Sequence, residues 1–435
     1  MIIKPRNLSG FADYTEAENV ALSEWIVKVE ESYRLFGFSR LFPRPVELRE
    51  VLLSKGGIQK QIFGISRLHN DGATDMALPF DRTVSLAYWV AKHQSEIAFP
   101  YKRYDISYSY RGERAQAGRF QGFFQADVDI IGQDSLDSSA DSEIINVIYS
   151  TLQKIGFQNI YLCINDLNLI RSILQSLNIP NEKHRDVLNI IDSIQKVEKE
   201  TFLTELKAAT PFLGNELNMI WKLFSFEGSL KEFSEIIKEQ CLYNEEINRN
   251  IENLDNTVNT LSNSGISKEN TIYRPSIVRG LDYYTGVVFE TFAKGFENLG
   301  SIASGGRYDN LSTTFTHQVL PGVGGSIGLT RLFDIAVKNQ FISLIKCTES
   351  EFFVGFREHS YKTMGMSIAN ELRKKGYKTD LYSGSGNFKK QLTYADRKGF
   401  KSGVFIMAED SFVVKDLHNK TQVDYKTIDE LLQSV

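Results

Sequence analysis

Cysteine is scarce in this chain: Cys163, Cys241 and Cys347 are the only three among 435 residues. An odd number at such wide spacing argues against a disulfide framework and fits a reducing compartment. Histidine is scarce too, and none of the six sits in a metal-type cluster with a cysteine, so no metal ligand is assigned. Long apolar runs are missing. Nothing approaches the ~18 consecutive apolar residues of a membrane span, and Met1-Ile-Ile-Lys-Pro-Arg6 opens no signal-like run. The expectation is a cytoplasmic protein without a membrane partner. No Gly-x-x-x-x-Gly-Lys-Ser/Thr loop occurs, so any nucleotide must be held without a P-loop. An overall basic excess is also missing, since the formal net charge is −4. From Lys346 onward, however, 15 Lys and Arg face 12 Asp and Glu, a balance of +3 that leaves −7 upstream. The C-terminal part is therefore the better electrostatic partner for a polyanion, and Lys389, Lys390, Arg397, Lys398 and Lys401 gather there around a helix-like segment.

What is present is strongly patterned. At this length the chain should hold more than one domain. Thr15-Glu-Ala-Glu18 reads as a capping box opening a long amphipathic helix, with Leu22, Ile26, Val29 and Tyr33 at helical spacing. Tyr104, Ile106, Tyr108 and Tyr110 alternate with Asp105, Ser107, Ser109 and Arg111, the period-2 pattern of a strand. The alternation resumes with Phe124, Ala126, Val128 and Ile130 against Gln125, Asp127 and Asp129. Together they predict an antiparallel hairpin with Arg111, Gln125 and Asp129 on one wall and a loop, Gly112 to Gly122, carrying Glu113, Arg114 and Arg119. A charged alternating face is ordinarily a solvated one, but an arginine- and glycine-rich loop is poorly explained that way. Far downstream, Ile277-Val-Arg279-Gly-Leu-Asp-Tyr283-Tyr284-Thr-Gly286 sets one arginine and two tyrosines around two glycines, just before the strand-like run Val287 to Phe292. From about Asn165 to Asn270 the rhythm is helical and polar, and the Asn- and Ser-rich stretch from Ile247 to Asn270 is expected to be exposed. Phe352 to Phe356, a helix ending near Lys375, Lys378 to Tyr382 and Gly403 to Met407 suggest a βαβα unit.

Taken together, these segments resemble the class II aminoacyl-tRNA synthetases, and within them the histidine-specific family. Arg111-Gly-Glu113-Arg-Ala-Gln-Ala-Gly118-Arg119 followed by Phe124-Gln125-Ala-Asp-Val-Asp129-Ile-Ile-Gly132 resembles that family's motif 2. Val278-Arg279-Gly-Leu-Asp-Tyr283-Tyr284 and Ser304-Gly-Gly-Arg-Tyr-Asp309-Asn-Leu311 resemble its two histidine signatures, and Gly322-Val-Gly-Gly-Ser-Ile-Gly328-Leu-Thr-Arg331-Leu332 its motif 3. Two places depart. Asp81-Arg82-Thr83 matches an acid-x-threonine segment, but Leu78-Pro79-Phe80 lacks the family's usual preceding arginine; motif 1 is only approximated by Phe42-Pro43-Arg44-Pro45-Val46-Glu47.

The resemblance implies an α+β fold: an antiparallel sheet flanked by helices, a helical insertion domain, and a C-terminal α/β anticodon-binding domain. It divides the chain into a catalytic core at 1–164 and 271–340, an insertion at 165–270 and an anticodon domain at 346–435. It implies ATP as substrate with Mg2+, L-histidine and histidine tRNA as partners, and a homodimer. Arg111 and Arg279 are then catalytic, with Glu113 and Arg331 also holding ATP. Asp81, Thr83, Gln125, Asp129, Tyr283 and Tyr284 hold histidine, and Lys389, Lys390, Arg397 and Lys398 hold tRNA. A catalytically dead relative serving as a regulatory subunit in histidine biosynthesis is the alternative. Such relatives lose both the Arg-Gly-Leu-Asp-Tyr-Tyr element and the C-terminal domain, and this chain has both.

Overall fold

The computed structural model describes residues 2–54, 59–69, 75–114, 118–211, 213–214, 216–278, 284–344 and 346–434. It divides into two compact units, Met1–Ala12 with Val27–Ala336, and Asp13–Ile26 with Val337–Val435.

The larger unit is organised by an eight-stranded sheet. Its strands lie in the order Ser39–Arg40, Tyr101–Tyr110, Gly122–Ile131, Gly322–Ile327, Ala303–Tyr308, Val287–Ala293, Ile160–Asp166 and Thr271–Tyr273. The two outermost pairings are parallel and the rest antiparallel. The predicted hairpin is its widest ladder, running from Tyr101 opposite Ile131 to Tyr110 opposite Gly122. Strands about two hundred residues apart meet because Gly322–Ile327 slots between the hairpin and Ala303–Tyr308. Its glycines let the helix Ser139–Lys154 pack close: a Cβ on Gly325 would fall 2.5 Å from Ile148 Cδ1. The helix Glu16–Leu35 opens on the expected box, with Thr15 N donating to Glu18 at 2.7 Å, and Tyr33 in its buried stripe donates to the Ala126 carbonyl at 3.1 Å.

Between Leu167 and Asn263 the described residues form helices joined by short connections, with one isolated bridge from Gly228 to Tyr273. The stretch from Ile247 to Asn270 corrects the expectation of exposure. Most of it is the helix Glu245–Asn263, which buries Ile247, Ile251, Leu254, Thr257 and Leu261 at intervals of four, three, three and four residues. Its Asn and Ser residues set the composition, but five well-spaced side chains are enough to bury one stripe.

The second unit carries a five-stranded sheet in the order Thr379–Leu381, Phe352–Phe356, Ser402–Ala408, Ser411–Asp416 and Thr421–Tyr425. The first three strands are parallel, joined through the helices Lys362–Lys374 and Phe388–Lys398 as the rhythm predicted. The sequence reading missed the antiparallel pair at the far edge and the terminal helix Ile428–Ser434. Gln391 fastens helix to sheet, its Nε2 donating to the Phe356 carbonyl at 2.8 Å and its Oε1 accepting from Phe356 N at 2.9 Å.

Candidate active site

Strand register assembles the site. Arg103 lies opposite Asp129, which lies opposite Gly324 and then Gly306; one step along, Asp105, Asp127, Ser326 and Ser304 line up in the same way. Alternate residues of a strand share a face, so Gln125, Asp127 and Asp129 project to one side together. That side is the interior. Arg103, Asp105, Asp127 and Asp129 are all buried, whereas Tyr108 on the apolar face is 37% exposed. The usual assignment of charged residues to solvent is thus reversed here, as expected when charges are paired or meet a ligand.

The pairing is specific. Arg82 Nε lies 3.0 Å from Asp105 Oδ2, and an Arg103 amino nitrogen 2.7 Å from Asp129 Oδ2. Tyr308 donates to the other Asp129 oxygen at 2.6 Å. Burial raises the Asp129 carboxyl above its ordinary range, opposed by Arg103 and by the Tyr308 hydrogen bond. Burial also pushes the Tyr308 phenol well up, so it remains a donor. Gly324 is obligatory beside this pair, because a Cβ there would sit 2.0 Å from Asp129 Oδ1.

Two polar cavities open over this face. The inner one, about 130 Å³, is lined by Asp81, Thr83, Asp127, Asp129, Tyr284 and Tyr308 among others; the outer, about 410 Å³, by Glu113, Arg119, Phe123, Ser301 and Arg331. They share Arg111, Gln125, Ser304 and Ser326. Arg111 stands at the junction with its guanidinium 5.0 Å from the Phe80 ring and 5.2 Å from the Phe123 ring. Its Nε is buried with no hydrogen-bond partner among the described residues. Stacking between rings holds a planar cation in one orientation without using up its donors. Gln125 donates to Ser326 Oγ at 3.0 Å. Asp81 caps the helix Arg82–His93, accepting from Thr83 N at 2.7 Å. Arg331 reaches the Ser301 carbonyl at 3.5 Å, and Arg119 lies 4.0 Å from Glu113. A third cavity, about 200 Å³, lies between Leu41–Glu47 and the helix Arg82–His93; its lining is chiefly apolar and it contains none of the selected residues.

Of the residues selected from sequence, Asp81, Thr83, Arg111, Glu113, Gln125, Asp129, Tyr284 and Arg331 therefore line one connected space. Arg279 and Tyr283 lie outside the described residues. Sequence reasoning overlooked Arg103, Asp127, Tyr308, Ser304 and Ser326. Tyr308 was within reach, since it belongs to the second signature; Asp127 shares the face of Gln125 and Asp129. Arg103 gave no local signal, as its value depends on the cross-strand partner. In the second unit Lys389, Lys390 and Arg397 are exposed on the helix Phe388–Lys398, and Lys398 pairs with Glu16.

An antiparallel sheet bearing stacked arginine, paired polar cavities and a glycine-rich strand running into an arginine-bearing helix, with a separate α/β unit, is the architecture of a class II aminoacyl-tRNA synthetase. The family model described as Histidyl-tRNA synthetase matches residues 10–332, and that described as Anticodon binding domain matches residues 349–435. The chain belongs to the histidyl-tRNA synthetase family. It is 35% identical to the histidine–tRNA ligase of Clostridium acetobutylicum, covering 97% of this chain and 96% of that one. It is 34% identical to the histidine–tRNA ligase of Helicobacter hepaticus, covering 99% and 97%. The crystal structure of histidyl-tRNA synthetase from Nostoc sp. PCC 7120 superposes with a TM-score of 0.88 at 28% identity, covering 100% of this chain and 99% of that one.

Proposed function

We infer that this chain is a ligase that attaches L-histidine to its tRNA, using ATP to form a histidyl-adenylate first. The observation that carries the reading is the pair of cavities meeting at Arg111: an inner one with a buried carboxylate and two tyrosines, and an outer one with arginines. The substrate carboxylate attacks the α-phosphorus of ATP and pyrophosphate leaves. Negative charge then grows on the phosphoryl oxygens, and a cation already oriented there lowers the barrier. Arg111, held between Phe80 and Phe123, is suited to that task. Arg279 is assigned to the same phosphate, Arg331 to the γ-phosphate, and Glu113 to the adenine. Among the described residues no three His, Cys, Asp or Glu side chains group as a metal site. Mg2+ is therefore expected to be held chiefly by the nucleotide's own phosphate oxygens.

Recognition of the ring follows from donors and acceptors. A neutral imidazole offers one of each. Asp129 keeps lone pairs beyond those taken by Tyr308 and Arg103, so it can accept from one ring nitrogen while Tyr284 bonds the other. Asp81 and Thr83 receive the α-amino group, and Gln125 and Tyr283 complete the amino-acid seat. A site of buried polar groups rejects substrates that cannot pair them by roughly 10⁴-fold or more, which makes editing unnecessary. Lys389, Lys390, Arg397 and Lys398 are assigned to tRNA phosphates. The active species is proposed to be a cytoplasmic homodimer; no helix among the described residues is long and apolar enough to cross a membrane. Exchange of labelled pyrophosphate into ATP, measured with each amino acid separately, tests the reading. Exchange is expected only with L-histidine, and equal exchange with another standard amino acid would overturn it.

A further inference from the structure

The buried charges on the sheet face do not balance by pairs. Asp105 has Arg82 and Asp129 has Arg103 as ion-pair partners. Asp127, opposite Asp105 in the register and equally buried, has no cation in ion-pair contact among the described residues. Ser326 stands opposite it in the register, and among the described residues its Oδ1 has no hydrogen-bond partner. Yet Asp127 lines the inner cavity. A buried carboxylate left in this state is costly unless something arrives to pair it.

Position identifies what arrives. One register step to one side lies the seat floored by Gly324 and Gly306 and walled by Asp129, where the substrate ring is assigned; on the other side lie Gln125 and Arg111, where its carboxylate meets ATP. The atom between a ring and a carboxylate in an α-amino acid is Cα, and it carries an ammonium. Asp81 alone serves this group incompletely, because its Oδ1 already accepts from Thr83 N at 2.7 Å and Val84 N at 3.4 Å. On the reading of the site given above, we propose that Asp127 binds the α-ammonium of the substrate as a second carboxylate beside Asp81. An ammonium has three protons to place. Asp81, the Thr83 hydroxyl and Asp127 accept one each. Ser326, opposite Asp127 in the register, accepts from Gln125 at 3.0 Å and so stands between the ammonium and carboxylate ends of the seat.

The test uses the full-length protein and three ligands of the pyrophosphate-exchange reaction. L-histidine has ring, ammonium and carboxylate; L-histidinol lacks the carboxylate; 3-(imidazol-4-yl)propionate lacks the ammonium. In Asp127→Asn, KM for L-histidine and the inhibition constant of L-histidinol are expected to rise about 10- to 100-fold, the range for losing one charged hydrogen bond. The inhibition constant of the deamino compound and KM for ATP should stay within about two-fold, which a general loosening of the pocket would not allow. An unchanged KM for histidine overturns the proposal. So does equal weakening of the deamino compound, which would place Asp127 at the ring or in the scaffold. Asp127→Ala is read in the same way if the Asn variant cannot be purified folded. Absence of histidine-dependent exchange by the unmodified protein would instead overturn the function itself.

Discussion

Asp127 also has a consequence for stability that can be worked out in advance. Burial raises its carboxyl from 3.8 to about 7, with Arg103 and Ser326 opposing the rise. The folded protein therefore holds a proton that the unfolded chain releases near pH 4. Folding takes up that proton between about pH 4 and 7, so stability falls as pH rises through this window. The cost is absent below the unfolded value and complete above about 7. The separation of the two values corresponds to about 4 kcal/mol at its plateau. Asp127→Asn removes the titration, and the opposing contributions of Arg103 and Ser326 are already contained in the raised value. The ligand-free variant is thus expected to be more stable than the natural chain by about 4 kcal/mol at pH 8. Between pH 7 and pH 5 the advantage should shrink by about 2 kcal/mol. Thermal midpoints of both proteins, measured in parallel from pH 5 to 8, report it. L-histidine at 100 times its Kd should shrink the advantage by about 1–2 kcal/mol, since it stabilises the natural chain by about 2.7 kcal/mol and a variant that binds 10- to 100-fold more weakly by only about 0.4 to 1.4. A difference independent of pH, or a variant less stable at pH 8, would refute the reasoning.

Arg279→Ala should lower kcat for adenylate formation by about 10²–10³ with lysine rescuing only partly, and near-normal kcat would show the arginine to be structural. Tyr308→Phe removes the donor to Asp129 Oδ1; KM for histidine should rise about ten-fold while KM for ATP holds, and an unchanged value would mean that the phenol does not orient the carboxylate. Gly324→Ala places a methyl group 2.0 Å from Asp129 Oδ1 and should abolish histidine binding, measured by calorimetry, in any protein that still folds. Neutralising Lys389, Lys390 and Arg397 together should raise KM for tRNA, flatten its dependence on salt and leave pyrophosphate exchange intact; an unchanged tRNA KM would remove this face from the interface.

Local patterns carried much of this structure. The capping box at Thr15, the hairpin centred on Arg111 and Gln125, and the parallel βαβ part of the second unit are all written in short-range periodicity, and the structure contains each of them. What could not be read is what arises between distant segments. Arg103 looks like any strand arginine until register sets it opposite Asp129. Asp127 looks like part of a polar stripe until Gly322–Ile327 covers it and brings Ser326 alongside. Arg82 follows the helix cap, and nothing in its surroundings announces that Asp105 will be its partner. The exposure expected at Ile247 to Asn270 holds for only part of the stretch, because an Asn- and Ser-rich composition does not show the spacing that buries one stripe of the helix.

The seat proposed for the substrate ring has a floor without side chains. Gly324 and Gly306 face each other across neighbouring strands, and a methyl group on either would strike Asp129, Val288 or Tyr284 within 3.0 Å. Peptide backbone cannot swing to a new rotamer, so the depth of this seat does not adapt to its occupant. Mutation of the floor can only make it shallower. On the proposed assignment of the site, a descendant of this chain that came to accept a different amino acid would have to change the upright residues Asp129, Tyr284 and Tyr308, keeping the glycines as they are.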